Sequence, residues 1–437
     1  MADLTNHFAG IRSPNPFWLA SAPPTDKAYN VHRAFEAGWG GVVWKTLGED
    51  GPPIVNVNGP RYGALLTPDR KLLGFNNIEL ITDRPLQLNL QEIREVKRAW
   101  PDRALVVSLM VPCTESAWKA ILPMVEDTGC DGVELNFGCP HGMSERGMGS
   151  AVGQVPEYIE MVTAWCKQYS MLPVIVKLTP NITDIRQPAA AAQRGGADAV
   201  SLINTVSSIM GVDPLTLTMS PSTGGFGSHG GYCGPAVKPI ALNMVAEIGR
   251  SPATAGLPIS GIGGVGSWRD ALDYIALGAG NVQVCTAAMV YGFKIVQEMI
   301  DGLSNYMDDM GFRTTEDFRG RALPTVTDWQ YLNLEAVSKA VIDQSSCIQC
   351  GRCHIACEDT SHQAITAVKD GVRHFEVKDD ECVGCTLCVT VCPVPDCITL
   401  RTLAPGEIDA RTGAPVSATP ANWTVHPNNP MRKTAPA

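Results

Sequence analysis

Charge is scarce in this 437-residue chain: charged residues make up 18% against 45% hydrophobic ones. A chain with that much apolar material builds large cores and is not of the disordered kind. Positive charge is scarcer than negative, with 34 Lys and Arg against 44 Asp and Glu, for a net charge of −10. That balance speaks against nucleic acid or an anionic membrane surface as partner. Long apolar runs are missing, since none reaches the roughly 20 residues that span a bilayer. The opening MADLTNHFAGIRSPNP lacks the layout of a secretory leader, so a cytoplasmic location is expected. A dinucleotide fingerprint in its proper context is also missing. Gly261, Gly263 and Gly266 spell G-x-G-x-x-G, but after what reads as a seventh strand, with no carboxylate about 20 residues on.

Cysteine, by contrast, is abundant, with 15 residues in all. The spacing C-x2-C-x2-C-x3-C occurs twice near the C-terminus: Cys347, Cys350, Cys353 and Cys357, then Cys382, Cys385, Cys388 and Cys392, followed by Pro393. This is the spacing that wraps a 4Fe–4S cluster, and in two-cluster ferredoxins the fourth Cys of each run serves the other cluster. The expected ligand sets are therefore Cys347, Cys350, Cys353 and Cys392 for one cluster, and Cys382, Cys385, Cys388 and Cys357 for the other. Zinc is the alternative, but it is held by two C-x2-C pairs and has no use for a third Cys at the same step. Thiolate-bound clusters fit a reducing compartment. Most of the remaining cysteines read as small hydrophobes.

Ahead of the clusters, eight short apolar, β-branched runs alternate with helical patterns. The strands are expected at Trp18–Ala22, Gly41–Thr46, Leu105–Met110, Val133–Phe137, Val174–Leu178, Ala199–Thr205, Pro258–Gly261 and Val282–Cys285. Eight β/α units in series predict an α/β fold, a closed (β/α)8 TIM barrel, followed by an α+β two-cluster ferredoxin-like domain. A doubly wound open sheet is the alternative. The expected divisions are a barrel over 1–306, a connecting segment over 307–343, the cluster domain over 344–403 and an extended or disordered tail over 404–437. Two β→α connections, roughly 47–88 and 206–234, are too long for simple turns and should shape a site or form a lid. The second is rich in Gly and Ser and reads as mobile.

Barrel active sites sit at the C-terminal ends of the strands. Gly263 and Gly264 after the seventh strand, with Cys285 and Thr286 after the eighth, would hold a terminal phosphate through backbone N–H groups. A purely structural glycine turn is the alternative. Lys45 and Lys177 end otherwise apolar strands, a costly place for a cation unless it meets a negative partner. Either they snorkel at the rim, or they lie beside a cofactor ring that gains negative charge. FMN satisfies both the phosphate loop and the lysines, and it converts single electrons from a cluster chain into a hydride. Cys139 follows the fourth strand in a polar, Gly-rich stretch, read as an exposed loop. A thiol near its ordinary pKa of ~8.5 is protonated at neutral pH and can act as a general acid. His141 could tune it or relay protons; a buried structural thiol is the alternative.

The motifs NFGCPHG (136–142), KLTPN (177–181), NTVS (204–207), RAFEAGWG (33–40) and GFNNIELI (74–81) resemble those of dihydropyrimidine dehydrogenases. The resemblance extends through the two-cluster domain and is strongest to the bacterial, separately encoded catalytic subunit. It implies reversible reduction of uracil and thymine to their 5,6-dihydro forms, with a hydride from FMN to carbon 6 and a proton from Cys139 to carbon 5. It further implies that Asn77, Asn136, Asn204 and Thr205 hydrogen-bond the pyrimidine, with Glu79, Ile81, Phe137 and Gly138 in the same pocket wall. Ser21, Lys45, Thr46, Lys177, Gly234, Ile262, Gly263, Gly264, Cys285 and Thr286 would bind FMN. The FAD- and NAD-binding half of the family is absent, which implies an electron-transfer partner subunit carrying FAD and NAD. A hetero-oligomer around a homodimeric catalytic core is the implied assembly. One departure is Gly138, where the mammalian-type motif has Ser, so that a hydroxyl contact is lost or replaced by backbone. Two competing readings remain. A dihydroorotate dehydrogenase shares the FMN barrel and an Asn-rich pocket, but its substrate carries a carboxylate that Glu79 would repel. An electron-relay subunit with a vestigial barrel would need a broken flavin site.

Overall fold

The computed structural model describes residues 2–51, 54–139 and 147–432. Pro140, His141 and Gly142, singled out in the sequence, lie outside the described residues. The chain divides into two compact units, Met1–Val326 and Thr327–Ala437.

The first unit is a closed barrel of eight parallel strands. They are β1 (Phe17–Leu19), β2 (Gly41–Leu47), β3 (Ala104–Leu109), β4 (Gly132–Asn136), β5 (Val174–Lys177), β6 (Ala199–Leu202), β7 (Ile259–Ile262) and β8 (Ala279–Val284), paired in chain order with β8 closing onto β1. Each falls on one of the eight apolar runs read from the sequence. Most of these strands are buried along their whole length, as β2 (GVVWKTL) shows, because helices cover one face and the barrel interior the other. Residues that alternate along a strand therefore divide between two cores. Trp44, Val107, Leu135 and Val176 point outward to the helices, while Val43, Val106 and Ile175 point inward.

The inward set is graded from apolar to polar. Its floor is Trp18, Val43, Ala104, Val106, Ile175 and Ala199, plugged by Phe8 and Ile11 from an N-terminal hairpin (Asn6–Phe8 with Ile11–Ser13) that the periodicity did not reveal. Above the floor the interior carries Ser108, Glu134, Ser201, Ser260, Asn281 and Gln283, and nearer the strand ends Lys45, Asn136 and Lys177. Ionisable side chains of the interior are thus confined to the layers that lead to the mouth.

The two long connections do not hang free. Tyr62–Leu66 and Leu72–Asn77 from the first, with Gly230–Cys233 and Val206–Ser208 from the second, form one four-stranded antiparallel sheet. The Gly-rich stretch read as mobile thus ends in a central strand, with Gly231 opposite Asn77 and Cys233 opposite Phe75. Residues beyond 306, expected to connect the domains, partly belong to the barrel unit. The helix Ile295–Met310 buries Met307, and Phe318 packs with Phe312 and Tyr306.

In the second unit the strand Ser338–Ile342 pairs with Ile398–Thr402, and Ile365–Val368 with His374–Val377. Its small core sets Ala340, Ala364, Ile365, Phe375 and Ile398 among five buried cysteines. The Pro-, Thr- and Ala-rich stretch after Leu403 is tied down where Asp409 meets buried Lys339 at 2.7 Å. Lys339 also donates to the carbonyls of Asp379 and Cys382.

The barrel floor generates a stability prediction. Phe8, 2% exposed, meets Trp18 edge-on at 5.9 Å. Phe8→Ala opens a cavity beneath the barrel and should cost about 3–5 kcal/mol. It should appear as a lower urea midpoint for the barrel transition, with the absorbance of the cysteine-rich unit unchanged.

Candidate active site

One large cavity opens at the C-terminal ends of the barrel strands, with about 1320 Å³ of space counting its mouth. Its lining joins the barrel strand ends to the loops after β7 and β8 and to residues of the first long connection. Among the described residues, every barrel residue expected to bind the pyrimidine or FMN lines it except Phe137 and Gly138, and Cys139 lines it too.

Phe137 is a correction with a simple cause. Asn136 points inward, so its neighbour must point outward. Phe137 lies in the outer core, edge-on to Trp118 at 6.3 Å. Gly138 is a close-approach position, where an added Cβ would lie 2.5 Å from the Cβ of Asn204. The asparagine side chain occupies the space that a serine would take. The Gly138 N–H donates to Asn136 Oδ1 instead, at 3.3 Å.

Cys139 also differs from expectation. It is not on an exposed loop but is 9% exposed, packed with Ile81, Met110 and Met148 where the cavity wall turns apolar. The amides stand in a connected network. Asn204 Nδ2 donates to Asn136 Oδ1 at 2.9 Å, and Asn136 Nδ2 donates to Thr46 Oγ1 at 3.0 Å. Thr46 in turn meets Ser21 and Ser108. Asn77, on the added sheet, donates to Gly231 O at 3.1 Å. Each of these amides is held by protein at both its nitrogen and its oxygen, so its orientation is set before a ligand arrives.

The cradle end lies across the barrel, since β7 and β8 stand four strands from β3 and β4 in the closed order. Gly264 there has φ of 68°, and an added Cβ would meet Lys238 Cβ at 2.8 Å and Gly234 O at 2.9 Å. Only glycine satisfies both constraints, and the backbone stays bare for a close-approaching group. Thr286 Oγ1 donates to Cys233 Sγ at 3.2 Å. Burial pushes Cys233 up to about 11 and Cys285 up to about 12, so both remain neutral thiols at pH 7. Cys233 was passed over in the sequence because it stands in no ligand or nucleophile pattern.

The lysines are not simple rim cations. Lys45, 5% exposed, donates to Glu79 at 2.8 Å and lies 3.5 Å from Asp26. Burial raises the Asp26 carboxyl despite that ammonium. Glu79 is further held by Arg61 at 3.5 Å and by the Tyr62 hydroxyl. Burial, then the hydrogen bond to Glu79, pushes the Tyr62 phenol above its ordinary range. Lys45, which Asp26 shares, and Arg61 thus offset part of the charge of Glu79, which weakens the expected repulsion of a substrate carboxylate. Lys177 lies 3.5 Å from Glu134, a fully buried carboxylate that was not singled out.

In the second unit the eight cysteines separate into two hollows. Cys357, Cys382, Cys385 and Cys388 line one, and Cys347, Cys350, Cys353 and Cys392 the other. Each set combines three cysteines of one run with the fourth of the other. Cys397, which belongs to neither run, also borders the second hollow.

A barrel with a cavity at its strand ends, in one chain with a unit of two four-cysteine hollows, defines an oxidoreductase-type architecture. Residues 4–307 match the dihydroorotate dehydrogenase family, and residues 340–400 match a 4Fe-4S dicluster domain. The chain is 40% identical over 411 residues to the NAD-dependent dihydropyrimidine dehydrogenase subunit PreA of Escherichia coli, covering 94% of this chain and 97% of that one. It is also 40% identical over 348 residues to the chloroplastic dihydropyrimidine dehydrogenase (NADP(+)) of Arabidopsis thaliana, covering 77% and 82%. Identity is 35% over 320 residues to the catalytic subunit of dihydroorotate dehydrogenase B (NAD(+)) of Pyrococcus horikoshii, covering 72% and 96%. The solved structure of DHODH from Eimeria tenella shares the barrel fold, with a TM-score of 0.59 at 19% identity over 73% of this chain and 88% of that one. The chain belongs to the PreA family of dihydropyrimidine dehydrogenase subunits, whose barrel is of the dihydroorotate dehydrogenase family. No described helix is long and apolar enough to cross a membrane.

The cradle yields a prediction. Gly264→Val should lower flavin retention at least tenfold, through strain at positive φ and the collision with Lys238 and Gly234. Iron content should be unchanged. Flavin and iron assays on the purified variant read both quantities.

Proposed function

We propose that this chain is the catalytic subunit of an NAD-dependent dihydropyrimidine dehydrogenase, reducing uracil and thymine reversibly to their 5,6-dihydro forms. The observation that carries the reading is one cavity holding a buried thiol and an oriented amide network on one side and a bare glycine cradle on the other. The whole-length likeness to PreA supports it.

The residues present fit FMN. The cradle of Gly234, Gly263, Gly264 and Thr286 would hold its phosphate, and Lys177 would offer a cation to its ring. Ser21, Lys45, Thr46, Ile262 and Cys285 would complete its walls. Bound FMN would supply the hydride and exchange single electrons with the two 4Fe–4S clusters held by the crossed cysteine sets. Asn77, Asn136, Asn204 and Thr205 orient the pyrimidine, because an amide edge presents both a donor and an acceptor to another amide edge. Cys139 holds a proton and delivers it to carbon 5. Its apolar surroundings of Ile81, Met110 and Met148 keep competing water away from that step. Electrons reach the clusters from a partner subunit that carries FAD and binds NAD, in the cytoplasm, within a hetero-oligomer built on a homodimeric core.

A second reading, dihydroorotate dehydrogenase, is favoured by one observation: Lys45 and Arg61 lie against Glu79 and weaken its opposition to an anionic substrate. The two readings separate in one anaerobic experiment. The flavin of the purified chain is photoreduced, then mixed with uracil or with orotate. Reoxidation by uracil alone supports the proposal; reoxidation by orotate alone replaces it with the second reading.

Two variants test the division of labour. Cys139→Ala should keep FMN and both clusters yet lose pyrimidine reduction by 10²-fold or more, the ordinary contribution of a positioned general acid. Undiminished turnover would remove Cys139 from the mechanism. Cys350→Ala should lose cluster iron and uncouple NADH from FMN in the complex with the partner, while photoreduced flavin still reduces uracil. Wild-type electron flow from NADH would contradict the relay.

A further inference from the structure

The two buried lysines that face the cavity are compensated differently. Lys45 spends its ammonium on two carboxylates, Glu79 at 2.8 Å and Asp26 at 3.5 Å. Lys177 has Glu134 alone, at 3.5 Å, and among the described residues its Nζ makes no hydrogen bond. Its donors are unspent toward the cavity it lines.

Glu134 lies one interior layer below. In the β4–β5 register Asn136 stands opposite Lys177, and Glu134 opposite Ile175. The carboxylate is completely buried. Its Oε2 accepts from Ser201 Oγ at 2.8 Å and from Gln283 Nε2 at 3.2 Å. Its Oε1, which faces Lys177, accepts no hydrogen bond. Two donors fix one oxygen and leave the other as a bare negative end behind the lysine. A buried carboxylate in this state persists only where a cation offsets it.

We infer that Glu134 is a positioning residue that sets how readily the flavin is reduced, by holding Lys177 in place and offsetting part of its charge. The inference deepens the flavin reading of the cavity and rests on it. Reduction adds negative charge to the flavin ring, and an unopposed ammonium in a weakly screened interior would favour the reduced form strongly. With Glu134 behind it, Lys177 still donates to the ring but draws electrons less strongly. Asp26 and Glu79 already offset Lys45, so Glu134 controls the cavity's other buried cation.

The test is the flavin midpoint potential of the intact, cluster-loaded enzyme, by dye-coupled titration, in wild type, Glu134→Gln and Glu134→Asp. Glu134→Gln keeps the shape and an amide for Ser201 and Gln283 but removes the charge. Its flavin should be reduced at least tenfold more readily, an upward shift of about 30 mV for a two-electron couple. Glu134→Asp keeps the charge and should stay within that interval of wild type. An unmoved potential in Glu134→Gln, or equal shifts in both variants, would overturn the inference. Should Glu134→Gln leave too strained a protein to purify, the same titration is run on Glu134→Ala, which also removes the charge. Its flavin should be at least tenfold more readily reduced than that of Glu134→Asp, and equal potentials in the two would again overturn the inference. A wild-type protein that purifies without flavin would overturn the flavin reading and this inference together, whereas bound flavin with unmoved potentials overturns this inference alone.

Discussion

Charge inside a closed parallel barrel has nowhere to go but toward another charge or toward the mouth. Eight strands shielded by helices leave an interior that water does not reach, and every ionised group placed there must be met. This chain meets them in order of depth. The floor carries none, only Phe8, Ile11, Trp18 and their apolar neighbours. The next layers set Glu134 against Lys177, and Lys45 against Asp26 and Glu79. At the strand ends the uncharged amides of Asn136 and Asn204 bond to each other and to Thr46. The gradient makes the cavity polar on its inner surface without leaving a solitary buried ion, and it orients the side chains that chemistry would use.

Lys45 and Glu79 also join parts of the unit that are distant in sequence. Lys45 ends a barrel strand, while Glu79 follows the strand Leu72–Asn77 of the added sheet. That sheet is assembled from both long connections, so the residues it carries are placed by pairing across more than 120 positions. Asn77 and Gly231 illustrate this. Site residues on separate loops would be imprecise, and hydrogen-bonding the loops into one sheet gives them the rigidity of a strand.

The second unit solves a different problem. It is small, and much of its core is thiol, with Cys353, Cys357, Cys382, Cys388 and Cys397 buried among few larger hydrophobes. Such a core resembles a metal-dependent fold in which ligation supplies what hydrophobic burial does not. The buried contact between Lys339 and Asp409 binds the C-terminal stretch to this unit, even though that stretch has few apolar residues of its own.

Much of this was legible along the chain because local pattern reports burial. Eight apolar runs became eight strands, and Gly38, Gly129, Gly196 and Gly278, which end helical patterns, all take positive φ. The doubled cysteine spacing is a purely local code, and its crossed ligand sets correspond to the two hollows. Strand ends named many of the cavity residues because barrel topology brings those ends together, whereas Asn77, Glu79 and Ile81 on the first long connection came only from the family resemblance. Strand parity could have removed Phe137, since its neighbour Asn136 had already taken the inward side.

What sequence could not carry was anything set by pairing at a distance. No local pattern reveals that Glu79 meets Lys45, that Asn204 fills the space beside Gly138, or that Cys139 is enclosed by Ile81 and Met148. The same holds for the contact between Glu134 and Lys177. The sequence by itself determined which elements form and which side chains face inward, because periodicity is local. Only the tertiary structure decided which charge faces which, because those contacts join residues that the closed barrel and its added sheet bring together.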